Sequence, residues 1–419
     1  MLATRVYSNP AIRKVWHVLP FGLRRGIELL ATATIARRAT SFRSPQPGPF
    51  TVVGLFRSVS GIGQAARLLL NGLQTEGFET RYLDLTRHFH RIGNITGDLG
   101  QEARSGEGGP LLIHLNPPEL PRALSLLGSD YLRGKRLIGY WSWELRTLPA
   151  SWKRSFSYLD EVWVPTRFVA DAVTKENCTI PVRIVPPPML SPCRSSLQRA
   201  DFGLPDDAVF CLTMFDMRSS TTRKNPVAAI RSFRLAFADD PRFVLVVKIN
   251  QGAGTDDLIG ILRREARGAG NIRFMSQELQ TEEVLALIQC SDIVLSLHRS
   301  EGFGLVLAEA MRLGKPVIAT GWSGNIDFMN ASNAALINYQ LVPVRDGQNI
   351  YTQKEEFWAE PDIEHAAGWL RRLAADKQFR NELGGEAARD AAQYFAANLA
   401  NLSGIGREVL GRCADSTGL

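Results

Sequence analysis

Glu301 and Glu309 stand eight residues apart around a glycine-rich turn in SLHRSEGFGLVLAEAMRLGKPVIATGWSGNIDF, residues 296–328. An apolar run ends at HRSEGFG, so the turn joins a strand to a helix that begins near Gly304. Gly302 and Gly304 let backbone N–H groups approach an anion where the helix dipole also favours negative charge. The two carboxylates bracket that turn, and ionised carboxylates accept hydrogen bonds from hydroxyl groups. A second segment, FDMRSSTTRKNP, places Arg223 and Lys224 after another apolar run. Cations so placed stabilise charge that develops on a leaving phosphate.

Three further loops carry residues able to do chemistry. RSVSGIGQAAR follows TVVGLF, and Gly61-x-Gly63-x-x-Ala66 with Asp84 imitates a dinucleotide fingerprint. Arg57 to Ser60 intervene, whereas the fingerprint's first glycine follows its strand directly, which argues against an oxidoreductase. IHLNPPE puts His114 at a strand end. YWSWE puts Trp141, Trp143 and Glu144 just after a strand, with aromatic rings of the kind that stack on sugar faces.

The elements that position these loops alternate along the chain. After the proline-rich break SPQPGP, strands are predicted at TVVGLF, ETRYLDL, PLLIHL, RLIGYW, EVWVP and VRIVP, with helical patterns from Gly63 and Arg167. Pro186, Pro187 and Pro188 interrupt the pattern, because consecutive prolines continue neither a strand nor a helix. Strands resume at AVFCLTMF, FVLVVKI, IRFM, DIVLSL and PVIAT, with helical patterns near 226–238, 255–268, 281–289 and 304–313. Such alternation predicts two α/β units with parallel sheets and a cleft between them. Open parallel sheets bind ligands beyond the carboxyl ends of their strands, where all the loops above lie.

Composition sets the outer limits. Of 419 residues, 45% are hydrophobic and 22% charged, which excludes collagen-like, coiled-coil and mostly disordered chains. The net charge of +7 belongs to residues 1–45, where eight basic residues face only Glu28. The remainder is balanced, and no nucleic-acid partner is expected. The arm's apolar stretch between Arg25 and Arg37 is 11 residues long, whereas a span needs about 20. Its paired arginines, Trp16 and Phe21 predict either a peripheral contact with an anionic membrane surface or a basic helix docked on the protein itself. The five cysteines are scattered, without a CxxC pair or a neighbouring histidine at ligand spacing, which predicts reduced thiols and a cytoplasmic chain. The arm would hold it peripherally on the inner face of the cell membrane.

With the Glu301-x7-Glu309 pair, its EGFG loop and the following GWSGN turn, the chain resembles the retaining glycosyltransferases of family 4 from about residue 50 onward. The resemblance implies the GT-B fold, an α/β architecture of two Rossmann-like parallel-sheet domains facing across a cleft. Residues 1–45 would form the basic amphipathic arm, 46–190 the acceptor domain, 200–385 the sugar-nucleotide donor domain and 386–419 a helical tail. It implies a catalytic set of Glu301, Lys224, Arg223 and His114, with Lys224 on the donor diphosphate and His114 beside the reacting sugar. Many members carry Gly-Arg directly after the strand, where this chain has Phe215-Asp216, so Arg218 and Lys248 compete with Arg223 as second cation. Gly302, Phe303, Gly304 and Glu309, with Gly61, Gly63, Lys248, Ser323, Gly324 and Asn325, would complete the donor site. Trp141, Trp143 and Glu144 would meet the acceptor.

The implied reaction moves a hexose from a nucleoside diphosphate sugar to a saccharide or lipid-linked acceptor, with retention at the anomeric carbon. The departing phosphate itself helps deprotonate the acceptor. No cofactor and no metal are expected. HRSEGFG, GWSGN, YQLVPV and FWAEPD look most like bacterial mannosyltransferases of polysaccharide biosynthesis, implying GDP-mannose, with a UDP-hexose as the other donor. The same fold also serves sugar-nucleotide epimerases and non-catalytic sugar-nucleotide binding modules, which remain the alternatives.

Overall fold

Short apolar runs bounded by glycine and proline form two separate parallel sheets. The structure is a computed structural model that describes residues 31–37, 40, 43–89, 93, 95–190, 195–250, 256–351, 353 and 355–415. The first sheet comprises β1 (Phe50–Gly54), β2 (Thr80–Asp84), β3 (Gly109–Ile113), β4 (Lys135–Tyr140), β5 (Glu161–Val164) and β6 (Val182–Ile184). Their order is β2-β1-β3-β4-β5-β6, parallel throughout. The second comprises β7 (Val209–Asp216), β8 (Phe243–Asn250), β9 (Ile272–Met275), β10 (Ile293–Ser296), β11 (Val317–Thr320) and β12 (Ala335–Ile337). Its order, β12-β11-β10-β7-β8-β9, is that of a dinucleotide-type sheet. Strand order reverses between β1 and β3 and between β7 and β10. Those two switch points face each other across the cleft.

The helices are α1 (Gly61–Thr75), α2 (Leu120–Leu132), α3 (Arg167–Thr174), α4 (Thr221–Lys224), α5 (Pro226–Phe237), α6 (Asp256–Ala266), α7 (Thr281–Cys290), α8 (Leu305–Arg312), α9 (Ile363–Ala375) and α10 (Lys377–Asp415). Helix α1 starts because the Ser60 side chain accepts a hydrogen bond from the Gly63 N–H. It buries Ala66, Leu69, Leu70 and Leu73 against the first sheet, where each full leucine burial contributes about 1.5–3 kcal/mol. The strands lie where apolar runs predict them. β12 has only three residues and escapes sequence reading.

Among the contacts between the halves, two come from elements of the second half that reach onto the first. Helix α10 runs unbroken for 39 residues and carries Leu402, Ile405 and Val409 back onto the first sheet, beside Phe50 and Val52. Arg183 joins Glu408 of that helix at 2.6 Å. The other connection is an antiparallel hairpin of β13 (Tyr339–Pro343) and β14 (Phe357–Pro361), formed by the YQLVPV and FWAEPD segments. Its tip reaches across to the first half. There Tyr351 and Trp358 join the core that holds Trp141, Trp143 and Trp152.

Most of the basic arm lies outside the described residues. Within its described part, residues 31–37 are helical and Ala36 is fully buried in the core of the first half. Arg43 pairs with Asp160 at 2.5 Å. No helix among the described residues is long and apolar enough to cross a membrane. Cys178, Cys211, Cys290 and Cys413 are unbridged, and Cys193 lies outside the described residues.

Candidate active site

A cleft of about 480 Å³ opens between the carboxyl ends of the two sheets. Loops after β1 and β4 wall one side, and loops after β7 and β10 wall the other. Its centre is an ionic cluster. Lys224 Nζ lies 2.5 Å from Glu301 Oε1, and Arg223 Nη1 lies 3.2 Å from Glu301 Oε2. Arg223 also donates to the Ser300 carbonyl at 2.7 Å, and its Nη2 lies 3.9 Å from Glu144 Oε1 of the opposite half.

Local sequence places these charges. Ser220 caps the single turn α4 by accepting from Arg223 N–H, and Asn225 ends it in the left-handed conformation. That turn presents Arg223 and Lys224 directly above the switch point. Burial by itself would raise the Glu301 carboxyl, but Lys224 and Arg223 outweigh it and hold it down at about 2. Burial works against the charge on Lys224 and lowers it, with Glu301 opposing the shift. The same burial opposes the charge on Arg223, yet Glu301 and Glu144 keep its proton firmly bound. The cluster is thus a cation-rich, partly dehydrated surface, suited to drawing negative charge from a leaving group.

Glu309 behaves oppositely. It lies in α8 on the cleft wall, and desolvation raises its carboxyl to about 7, with Arg67 as the opposing cation. Gly304 begins that helix at φ 98°, a left-handed backbone that favours glycine, and it borders the cleft with Gly302 and Phe303. Phe303 packs its ring against Phe328 and Phe395. Gly61 lines the facing wall.

Residues 213–339 match the family Glycosyl transferases group 1. That stretch holds Lys224, Glu301 and Glu309 and most of the second sheet. A curated relative is the O-antigen chain mannosyltransferase C of Escherichia coli, 29% identical over 122 residues, covering 28% of this chain and 32% of that protein. The chain spans about a third of the length of the curated relatives it matches. Among solved structures, the sucrose-phosphate synthase of Thermosynechococcus elongatus superposes with a TM-score of 0.61 at 15% identity, covering 87% of this chain and 100% of that one. Anabaena HepE, solved with UDP and glucose, superposes with a TM-score of 0.60 at 12% identity over the same shares. The fold is GT-B.

The structure brings together Glu301, Lys224, Arg223, Gly302, Phe303, Gly304, Glu309, Gly61, Lys248, Trp143 and Glu144 on one cleft. It does not bring His114 there. That side chain is 2% exposed and stacks on Tyr140 at 4.4 Å, and burial lowers its imidazole to about 4. Neither ring nitrogen has a hydrogen-bond partner. Trp141 is fully buried against Trp152 and Phe156 and cannot stack on a ligand. Trp143 borders the cleft, but its ring is wedged between Trp152 and Tyr351 and its Nε1 donates to the Thr147 carbonyl. Gly63 sits under the loop rather than facing the cleft, since a Cβ there would meet the Leu55 carbonyl at 2.6 Å.

Ser323, Gly324 and Asn325 lie behind the EGFG turn instead of lining the cleft. Ser323 Oγ accepts from Glu301 N–H at 2.7 Å, and Gly324 N–H donates to the Glu301 carbonyl at 2.9 Å. Asn325 faces the buried His298. The candidates for second cation also separate. Arg218 is held in a two-point pair by Asp216, at 2.9 and 2.6 Å, and buried Lys248 donates to Asn250 at 2.7 Å. Arg223 alone of the three contacts Glu301 among the described residues.

Sequence reading missed Arg67, Asn116 and Tyr351, which all line the cleft. Arg67 sits within an ordinary amphipathic helix and donates to the Phe56 and Ser58 carbonyls at 2.6 and 3.0 Å. Asn116 follows His114 by two residues and accepts from Ser142 N–H at 3.0 Å. A polar residue two places beyond a strand-end histidine was the available signal for it.

Proposed function

We propose that this chain is a retaining glycosyltransferase that moves a hexose, with mannose as the first candidate, from a nucleoside diphosphate sugar to a hydroxyl of a saccharide or lipid-linked acceptor. The observation that carries this reading is the Lys224–Glu301–Arg223 cluster at the facing switch points of two sheets. The donor diphosphate would lie on Lys224 and Arg223 and on the N–H groups entering α8. Glu301 would orient the sugar, and Glu309 the ribose. The bond from the anomeric carbon to the phosphate oxygen breaks as the bond to the acceptor oxygen forms on the same face. The acceptor proton passes to the departing phosphate.

The protein's share is orientation and charge stabilisation, with side-chain cations serving the diphosphate. A metal is not needed in this scheme. Mannose transfer in bacterial polysaccharide assembly draws on the E. coli relative's name, and transfer from the inner membrane face draws on the basic arm. The test is incubation with GDP-mannose, UDP-glucose and related donors plus a lipid-linked oligosaccharide. Nucleotide release with a glycosylated product supports transfer, an isomerised donor supports an epimerase, and binding alone supports a non-catalytic module.

A further inference from the structure

The hairpin of the second half delivers one residue to the wall supplied by the first. Tyr351 lies beyond β13 in a loop that Asp346 folds by accepting from the N–H groups of Ile350 and Tyr351 at 2.7 and 3.2 Å. Asp346 also accepts from Ser220 Oγ at 2.6 Å, and Gln348 accepts from Thr221 N–H at 2.5 Å, so the loop is keyed to the turn that carries Lys224. Glu356, at the other end of the loop, reaches Thr147 Oγ1 and the Arg146 N–H of the opposite half. Between these anchors the Tyr351 hydroxyl donates to Glu144 Oε2 at 2.8 Å, and its ring lies 5.3 Å from that of Trp143.

This arrangement divides the two oxygens of Glu144. Oε2 is occupied by Tyr351, while Oε1 looks toward Arg223 at 3.9 Å, a separation beyond a direct hydrogen bond. The carboxylate keeps part of its surface open, with 20% of the side chain exposed, and it borders the cleft. Free lone pairs therefore sit beside the cation that serves the leaving group.

We infer that Tyr351 is a positioning residue for the acceptor: it fixes Glu144 so that Oε1 accepts a hydrogen bond from the acceptor sugar's hydroxyl. The donor half thereby helps build the acceptor site. The proton leaves with the departing phosphate, and Glu144 only orients the oxygen that attacks. The inference rests on the transferase reading above.

The test is the partition of GDP-mannose, and in parallel UDP-glucose, between a lipid-linked oligosaccharide acceptor and water in the wild type, Tyr351→Phe, Glu144→Gln and the double variant. Nucleotide release into water by the wild type reports on the transferase reading itself, and the partition reports on Tyr351. Tyr351→Phe removes one hydroxyl, and the ratio of transfer to hydrolysis should fall about 10-fold, the size of one hydrogen bond to a charged group. Glu144→Gln should lower it comparably, and the double variant should be no worse than Glu144→Gln, since both changes break one device. A purely structural role would reduce transfer and hydrolysis together and leave their ratio at the wild-type value. That result, or losses that multiply in the double variant, would overturn the assignment.

Discussion

Lys224 Nζ and Glu301 Oε1 lie 2.5 Å apart although their strands, β7 and β10, reach the cleft from sequence positions 77 residues apart. Strand reversal at the switch point is what lets two such loops meet. In the proposed reaction the pair would hold a cation in place before a donor arrives, leaving little reorganisation for the chemical step.

Removing the cation should therefore act on turnover more than on folding. Lys224→Ala leaves Glu301 with Arg223 as partner, so the carboxylate is not stranded. We expect kcat to fall about 10²–10³-fold, the usual effect of deleting one electrostatic stabiliser. Glu301→Gln should also remove most activity. Circular dichroism and initial rates on the same samples check both, and near-normal rates in either variant would mean the roles are wrongly assigned.

The two carboxylates of the EGFG segment predict opposite limbs in a stability–pH curve. Glu301 has its pKa lowered from 4.5 to about 2, so its stabilisation is complete above pH 4.5 and is lost as pH falls toward 2. Glu309 has its pKa raised from 4.5 to about 7, so the folded chain keeps a proton the unfolded chain gives up, and stability declines as pH rises across that window. Urea midpoints from pH 3 to 8 should lose the acid decline in Glu301→Gln and the neutral decline in Glu309→Gln. Unaltered slopes would contradict these placements.

Gly302 marks where the halves touch. A Cβ there would stand 3.0 Å from the Trp143 carbonyl, and Thr166 Oγ1 donates to the Gly302 carbonyl at 2.8 Å. Gly324 is tighter, since a Cβ would fall 2.3 Å from the Gly302 carbonyl. Gly302→Ala should reduce kcat/KM with a small loss of stability, because the two halves can part slightly. Gly324→Ala should destabilise by about 1–3 kcal/mol, because only backbone stands in the way. Urea unfolding and steady-state kinetics separate the two, and equal stability losses would argue against a contact that can yield.

Arg67 offers a test of a residue hidden from sequence reading. Its guanidinium ties the Phe56 and Ser58 carbonyls and opposes Glu309 across the cleft. Arg67→Met should raise the donor dissociation constant about 10-fold by loosening that loop, as expected for lost charge-assisted hydrogen bonds. Donor titration by calorimetry measures it, and unchanged affinity would remove Arg67 from the donor wall.

Polar residues that break apolar runs could be read in the sequence, which is why Glu301, Lys224 and the two sheets were legible. A helix or loop that looks ordinary hides its role: Arg67 sits in a standard amphipathic pattern, and Tyr351 is a lone aromatic in a polar stretch that only the folded hairpin carries across the cleft. His114 and Trp141 lie in the core and off the cleft for the reverse reason. A strand-end residue has the same sequence signature whether its ring turns to the cleft or to the core, and packing against Tyr140, Trp152 and Phe156 decided it. Ser323 and Asn325 were placed in the right neighbourhood but support the turn from behind.

On the proposed function, cations between the two sheets receive the diphosphate of an activated sugar. Crystals soaked with GDP-mannose, and in parallel with UDP-glucose, test it most directly. Density for the diphosphate is expected against Lys224 and the N-terminus of α8, with the sugar beside Glu301. A nucleotide sugar bound only outside this cleft would contradict it.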